Sequence, residues 1–373
     1  MNGNLNQTPQ TFSTPWRVRA AWIALLCLMV PGVAPAARAF TAADADALFQ
    51  AHTQAFYREQ DGRAWFKETT EGGKASYWMR AEQMEMVLDA YERTSQAQPL
   101  VMFTNLFRGF LADHGTNWSH NPFNDDIMWM AIACTRAHLL TGNPEFRDVA
   151  RTNFDLCYAR AVSSDLGGGL WWKVGNRSKN ACVNGPGAIA AFLLGRATGD
   201  STYFTIATNL FLWERTTLFD RTNGRVADNI SLTGRVSRMA LTYNQGTFVG
   251  AATLLGCTNE ALLAATFTMN RLSRDGLLPA SGEEGDGGGF NGIAVRWIAR
   301  FMKEHHAEPT FEPWLQKNAE AAWQARRTSD NLSWCRWPDP TPEGRRYSWG
   351  CSSAVVLLQM VRPPETAKPQ KAN

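Results

Sequence analysis

The chain has 373 residues, 45% of them hydrophobic, enough to bury a substantial core in one large domain or two ordinary ones, and this excludes disorder as the default. Its 37 basic and 34 acidic residues leave a formal charge of +3 without a long basic run, so composition makes no electrostatic case for nucleic acid. Fifteen tryptophans are the compositional excess. The flat apolar face and single donor of Trp suit core packing and sugar stacking alike, and roughly two thirds are assigned here to packing.

The chain opens with a polar stretch carrying Arg17 and Arg19, continues as an apolar run from Ala20 to about Val33, and closes on Ala37-Arg38-Ala39. That order predicts a secretory signal peptide over residues 1–39, cleaved after Ala39, and a secreted or periplasmic mature protein. Pro31, Gly32 and Pro35 interrupt an apolar run already short for a bilayer span, and no later segment reads as a membrane span. Export leads to an oxidising compartment, with Cys134, Cys157, Cys182, Cys257, Cys335 and Cys351 remaining. Cys335 and Cys351 flank a turn-rich stretch and are expected to form a disulfide. Cys134, Cys182 and Cys257 lie in helical patterns and are expected as buried thiols.

Helical periodicity then recurs in about twelve segments, with almost no period-two alternation. They fall near 41–60, 77–95, 99–113, 125–142, 144–162, 181–199, 201–217, 242–256, 259–274, 289–306, 309–328 and 347–362. These make up one domain over 40–362, and the proline- and lysine-rich segment 363–373 is expected as a disordered tail.

An internal repeat orders the helices. LLTGNPEFRDVA and GRATGDSTYFTIA share a helix end, a Thr-Gly stop, a short turn and a new helix, and LLGCTNEALLAA is a weaker third copy. Gly142, Gly199 and Gly256 are spaced 57 residues apart, the length of a helix pair plus a connection. Six such pairs account for the domain, and six hairpins closed into a ring make an all-α (α/α)6 toroid; an open solenoid has the same periodicity.

The first helix of each hairpin begins polar and then turns small and apolar: NDDIMWMAIA at 124, KNACVNGPGAIA at 179 and LTYNQGTFVGAA at 241. If those helices line the ring, one rim collects Asn124, Asp125, Asp126, Asn180, Asn184, Tyr243, Asn244 and Gln245, a set suited to binding hydroxyl groups. Asp125 and Asp126 by themselves read as helix-start acids that cap free N–H groups. Their functional reading is glycoside hydrolysis, in which one carboxylate attacks the anomeric carbon and the other protonates the departing oxygen. Trp171 and Trp172 follow Gly167-Gly168-Gly169, whose backbone can approach a ligand closely, and are candidate stacking platforms; the alternative places at least one in the core.

YWMRAEQ at 77, NDDIMWMAIA at 124, GGGLWWK at 167, KNACVNG at 179, TGDSTYFTIA at 198, LTYNQGTFVGA at 241 and FNGIAVRW at 290 occur in the order and spacing of glycoside hydrolase family 76, which the sequence resembles over about 50–305. The resemblance implies an (α/α)6 barrel and a retaining endo-α-1,6-mannanase, with Asp125 as nucleophile and Asp126 as acid/base. It implies that Asp228, in DRTNGRVADNI, binds a sugar hydroxyl, and it adds Phe290 to the substrate-binding set. It implies an α-mannan polysaccharide or oligosaccharide as partner, no cofactor, no metal and a monomer. Asn291 stands where the family usually has lysine and Ala294 where an aromatic is common, so the implied subsites are the part of the resemblance these departures touch.

Three readings compete: a transglycosidase on the same site, another helical-toroid glycosidase or lyase, and a mannan-binding protein that keeps the cleft as a lectin. The Gly287, Gly289, Gly292 pattern is a literal G-x-G-x-x-G with no strand before it, which argues against a dinucleotide site. Glu283, Glu284 and Asp286 lack regular calcium-ligand spacing and read as a solvated turn. His305 and His306 close a helix.

Overall fold

The structure, a computed structural model, describes residues 39–175 and 177–364. The expected signal segment up to Arg38 and the tail beyond residue 364 lie outside the described residues.

Twelve α-helices occur among them. In chain order they are α1 (Ala42–Phe56), α2 (Tyr77–Thr94), α3 (Ala97–His114), α4 (Asn124–Thr141), α5 (Pro144–Ala161), α6 (Ala181–Thr198), α7 (Ser201–Thr217), α8 (Thr242–Leu254), α9 (Thr258–Phe267), α10 (Phe290–Glu304), α11 (Glu308–Gln324) and α12 (Ser348–Met360). Helix α2 packs on α4, α4 on α6, α6 on α8, α8 on α10, α10 on α12, and α12 back on α2, so the even-numbered helices form a closed ring. The odd-numbered helices pack outside it, α3, α5, α7, α9 and α11 each against the helix before it and α1 against α12. This is the (α/α)6 toroid, and the closing contact between α12 and α2 excludes the open solenoid.

Sequence decides which helices go inside. In α4 every residue from Ile127 to Ala137 is buried, and α8 is buried from Thr242 to Thr253, as befits a helix surrounded on all sides. Helix α5 instead buries one stripe, Phe146, Ala150, Asn153, Phe154, Cys157 and Ala161, spaced three and four apart. The repeated glycines end inner helices: Gly142 and Gly199 are left-handed C-caps of α4 and α6 with φ of 73° and 76°, and Gly256 follows α8 with φ of 71°. One residue after Gly142 and Gly199, Asn143 and Asp200 accept hydrogen bonds from the backbone N–H groups of Glu145 and Thr202 and start the outer helices.

The first expected helix is too long by four residues. It stops at Phe56, and β1 (Tyr57–Gln60) pairs antiparallel with β2 (Arg63–Phe66) across Asp61-Gly62, both with positive φ. An Asp-Gly pair in a two-residue loop is a hairpin signal that outranks the helical periodicity there. A second ribbon, β3 (Ser178–Asn180) against β4 (Asn229–Ser231), leads into α6 and will frame the cleft. The expected segment 259–274 ends its α-helix at Phe267 and finishes in a wider turn over Thr268–Leu272.

The ring is tied internally by charge. Arg296 of α10, 1% exposed, donates to Glu82 and Asp89 of α2 at 2.5 and 2.7 Å, and Arg136 of α4 donates to Glu85 and Asp89 at 2.6 and 2.8 Å. The expected Cys335–Cys351 disulfide does not form: both are buried free thiols, and Cys335 instead points its Sγ at the Gly282 carbonyl. Burial pushes the Cys335 thiol up to about 12 and Cys351 well above its ordinary value, so both keep their protons. Cys134 and Cys182 are buried thiols as expected, and Cys257 is half-buried. No helix among the described residues is long and apolar enough to cross a membrane.

Candidate active site

The inner helices α4, α6 and α8 bring their starts to a cleft of ≈ 670 Å³, a size typical of a small-molecule site. Asp125, Asp126, Trp172, Asn180, Asp228, Tyr243 and Phe290 line it together.

Asp125 and Asp126 occupy the first turn of α4. Asn124 fixes that turn, its N–H donating to the Trp172 carbonyl and its Nδ2 to the Trp171 carbonyl at 2.9 and 2.8 Å. Asp125 Oδ2 accepts from Trp172 Nε1 at 3.0 Å and from the Cys182 thiol at 3.4 Å, while its buried Oδ1 has no hydrogen-bond partner. Asp126 Oδ2 accepts from Asn121 Nδ2 at 2.9 Å. Asn121 is held in turn by Arg160, which donates to the carbonyls of Ser119 and Asn121 and to Asn124 Oδ1. Burial raises both carboxyls well above the usual carboxylate range. The Asp126 charge lifts Asp125 further, and the nearby Asp286 carboxylate acts on Asp126 in the same direction. Such a pair holds a proton at pH values where a solvated aspartate is fully ionised, so the two can take opposite roles.

Across the cleft, Asp228 precedes β4 and accepts from Asn244 Nδ2 at 3.0 Å and Asn229 Nδ2 at 2.6 Å. Tyr243 stacks on Phe290 with ring centroids 4.0 Å apart, and Trp172 packs against Phe123.

Five of the expected residues lie behind this surface, the first being Asn124, 1% exposed at the start of α4. Trp171 is 2% exposed and sits beneath the Lys179 ammonium, so only Trp172 of the pair faces the cleft. Of the glycines before it, Gly169 approaches protein rather than ligand: a Cβ there would stand 2.5 Å from the Trp213 ring. Asn184 pins that loop, accepting from Leu170 N–H at 2.7 Å and donating to the Leu170 and Asn180 carbonyls. Asn244 is buried and reaches the cleft only through Asp228. Gln245 accepts from Val226 N–H and donates to the Gly224 and Ala264 carbonyls, anchoring the segment that leads to Asp228.

Sequence reasoning assigned no cleft role to Trp78, Trp129 or Asp286, yet all three line it. Trp78 Nε1 donates to Asp286 Oδ1 at 3.1 Å, and Trp349 Nε1 donates to the Asp286 carbonyl. The sequence carries a signal for each of two: Trp78 belongs to YWMRAEQ and Asp286 lies four residues before Phe290. Glu283, from the same acidic turn, is engaged by Arg346 at 2.8 Å, and among the described residues no group of three or more His, Cys, Asp or Glu side chains is placed to hold a metal ion. The two family departures do not line the cleft. Asn291 is buried, accepting from Thr242 Oγ1 and donating to the Pro279 carbonyl, and Ala294 packs against Gly246, where α8 and α10 come together.

The sequence profile described as glycosyl hydrolase family 76 matches residues 40–368. The α-1,6-mannanase GH76A of Salegentibacter sp. HEL1_6 superposes with a TM-score of 0.79 at 30% identity, covering 86% of this chain and 98% of that one. The same figures hold for its inactive variant, with two consecutive aspartates changed to asparagine, in complex with α-1,6-mannotriose. A protein of Schizosaccharomyces pombe, provisionally named a mannan endo-1,6-α-mannosidase, is 25% identical over 295 residues, which span 69% of this chain and 66% of that protein.

Proposed function

Because the chain belongs to glycosyl hydrolase family 76, a family of glycosidases, we propose that it is an endo-acting, retaining α-1,6-mannanase whose nucleophile and acid/base are Asp125 and Asp126. The observation that carries this reading is the adjacent carboxyl pair on the cleft, both members raised by burial and each held by a different donor set. The substrate class is supported by the mannanase at 30% identity and by the mannotriose complex of its aspartate-pair variant.

In the first step a carboxylate oxygen of Asp125 forms a bond to the anomeric carbon while the glycosidic C–O bond breaks. Trp172 and Cys182 hold Oδ2 and so fix the direction of attack. The departing oxygen takes its proton from Asp126, so the proton that burial favours on Asp125 in the free protein has to lie on Asp126 once substrate is bound. Water then attacks the same carbon, gives a proton to Asp126 and releases Asp125, so two displacements restore the original configuration. Asp228 and Asn180 are placed to accept from or donate to sugar hydroxyls, and Trp172 and the Tyr243–Phe290 stack offer flat apolar faces for sugar rings. The order of charged, apolar and small residues at the start of the chain supports export of the enzyme.

Product analysis tests the whole reading. Incubation with linear α-1,6-mannan, followed by proton NMR from the first turnovers, should give oligosaccharides of several lengths whose new reducing ends begin as the α-anomer. A β-anomer first would overturn retention, release of mannose alone would overturn endo action, and no cleavage would overturn the substrate.

A further inference from the structure

Beside the cleft, the β3–β4 ribbon carries two loops that the catalytic reading leaves unused. Residues 172–175 and 177–178 on one side and 231–239 on the other are joined where Leu232 N–H donates to the Arg177 carbonyl and Ser178 pairs with Ser231. The second loop is folded back by Ser231 N–H to the Arg235 carbonyl, Ser237 N–H to the Asn229 carbonyl and Asp228 N–H to the Met239 carbonyl. Ser178 and Asn229 line the cleft, so these loops form part of its rim.

Their composition is unusual for a solvated rim. Val174, Leu232, Val236 and Met239 are 58%, 59%, 39% and 56% exposed, which gathers four of the ten large exposed apolar side chains of the described residues here. Arg177, Arg235 and Arg238 are exposed between them, and among the described residues none of the three has an ion-pair partner. Neither loop contains a carboxylate. Unpaired cations interleaved with exposed aliphatic side chains match a surface whose outer layer is anionic and whose inner layer is hydrocarbon. A soluble acidic polysaccharide would satisfy the arginines and leave Leu232 and Met239 in water.

We propose that this rim is a docking face for an anionic lipid surface, which would hold the cleft mouth against glycans displayed on a membrane. Arg177, Arg235 and Arg238 meet the head groups, and Leu232, Val236 and Met239 enter the acyl boundary. The docking does not depend on the choice of mannan as substrate, because no residue of the face lines the cleft.

The test is co-sedimentation of the mature protein with phosphatidylcholine vesicles containing about one third phosphatidylglycerol, a strongly anionic surface. Wild-type protein should pellet with these and not with pure phosphatidylcholine, and should be released between about 0.1 M and about 1 M salt, where the screening length shrinks from ~10 to ~3 Å. Arg235→Gln with Arg238→Gln should lower partitioning by about fivefold for each arginine removed. Leu232→Ser with Met239→Ser should lower it by about tenfold or more. Leu212→Ser, an exposed position on outer helix α7, should leave it unchanged. All variants should cleave a soluble mannan oligosaccharide at the wild-type rate, which separates failure of docking from failure of the hydrolytic assignment. Wild-type protein that ignores anionic vesicles, rim variants that bind as well as wild type, or retention by an acidic polysaccharide with no binding to vesicles would each overturn the proposal.

Discussion

Replacing Asp125 with asparagine should make the protein more stable, and only in one pH range. The folded protein raises this carboxyl from 3.8 to about 7, first by burial and then by the charge of Asp126. A carboxyl that holds its proton to higher pH when folded stabilises the native state at acid pH, and that advantage is lost as pH rises from about 4 to about 7. At ~1.4 kcal/mol per tenfold change in proton affinity, the ionised group costs ~4 kcal/mol above pH 7 as an upper limit. Part of that is repulsion shared with Asp126, and the new amide must itself be solvated in the cleft, so a net gain of ~2 kcal/mol is expected. In a domain of this length that corresponds to a rise of about 3 °C in melting temperature. Calorimetry of wild type and Asp125→Asn at about pH 4 and about pH 8 should show the gain at the higher pH and little of it at the lower. An equal shift at both values, or a loss at pH 8, would refute the account of a carboxyl held against its own solvation.

Asp126→Ala should slow natural mannan by a factor of about 100 or more while sparing an aryl mannoside with a good leaving group, because that group departs without a proton; equal losses on both would contradict the assigned roles. Trp172→Phe removes the N–H that holds Asp125 Oδ2 at 3.0 Å, and should lower kcat by roughly tenfold and move the acidic limb of the pH–rate profile upward, since an ionised carboxylate has lost a donor. Asp228→Ala should raise KM for mannan oligosaccharides without changing the melting temperature by more than about 1 °C. Arg296→Met should destabilise the fold by about 3–5 kcal/mol, because Glu82 and Asp89 are left buried without it, and a melting temperature within a degree or two of wild type would show that the ion cluster contributes little.

Much of this arrangement was legible in the sequence for local reasons. Thr-Gly followed by Asn or Asp is a helix stop and a helix start within a few residues, so the hairpins and their order could be read directly. Asp125 and Asp126 could be placed on the rim because a capping turn has only one orientation relative to its helix. Trp171 and Trp172 could not be separated, since their fates depend on Lys179 and Phe123, which belong to the loop's tertiary path. Gln245 was misread for a related reason: its amide satisfies Val226, Gly224 and Ala264, a need that exists only once the segment from Gly224 has been laid against α8 and α9. Asp286 is brought beside Asp126 by ring closure alone, from 160 residues further along the chain.

The seam between α12 and the first two helices has a consequence for the order of assembly. Every other pair of inner helices adjacent in the ring is also near in sequence, whereas here Gln359 donates to the Ala45 carbonyl, Arg93 donates to Gln359, and His52 meets the Ser348 carbonyl, across separations of 266 to 314 residues. Five hairpins can therefore form as each leaves the ribosome or the export channel, while the sixth has to find the first. Until it does, the Asp286 loop has no Trp349 to rest on and the Trp78 side of the cleft lacks its wall. A chain stopped before α12 would be mostly helical and catalytically incomplete. Conversely, a permuted chain that joins α12 to α1 and opens an exposed turn such as Asn143 would turn the slowest contact into a local one, and should reach activity sooner after dilution from denaturant.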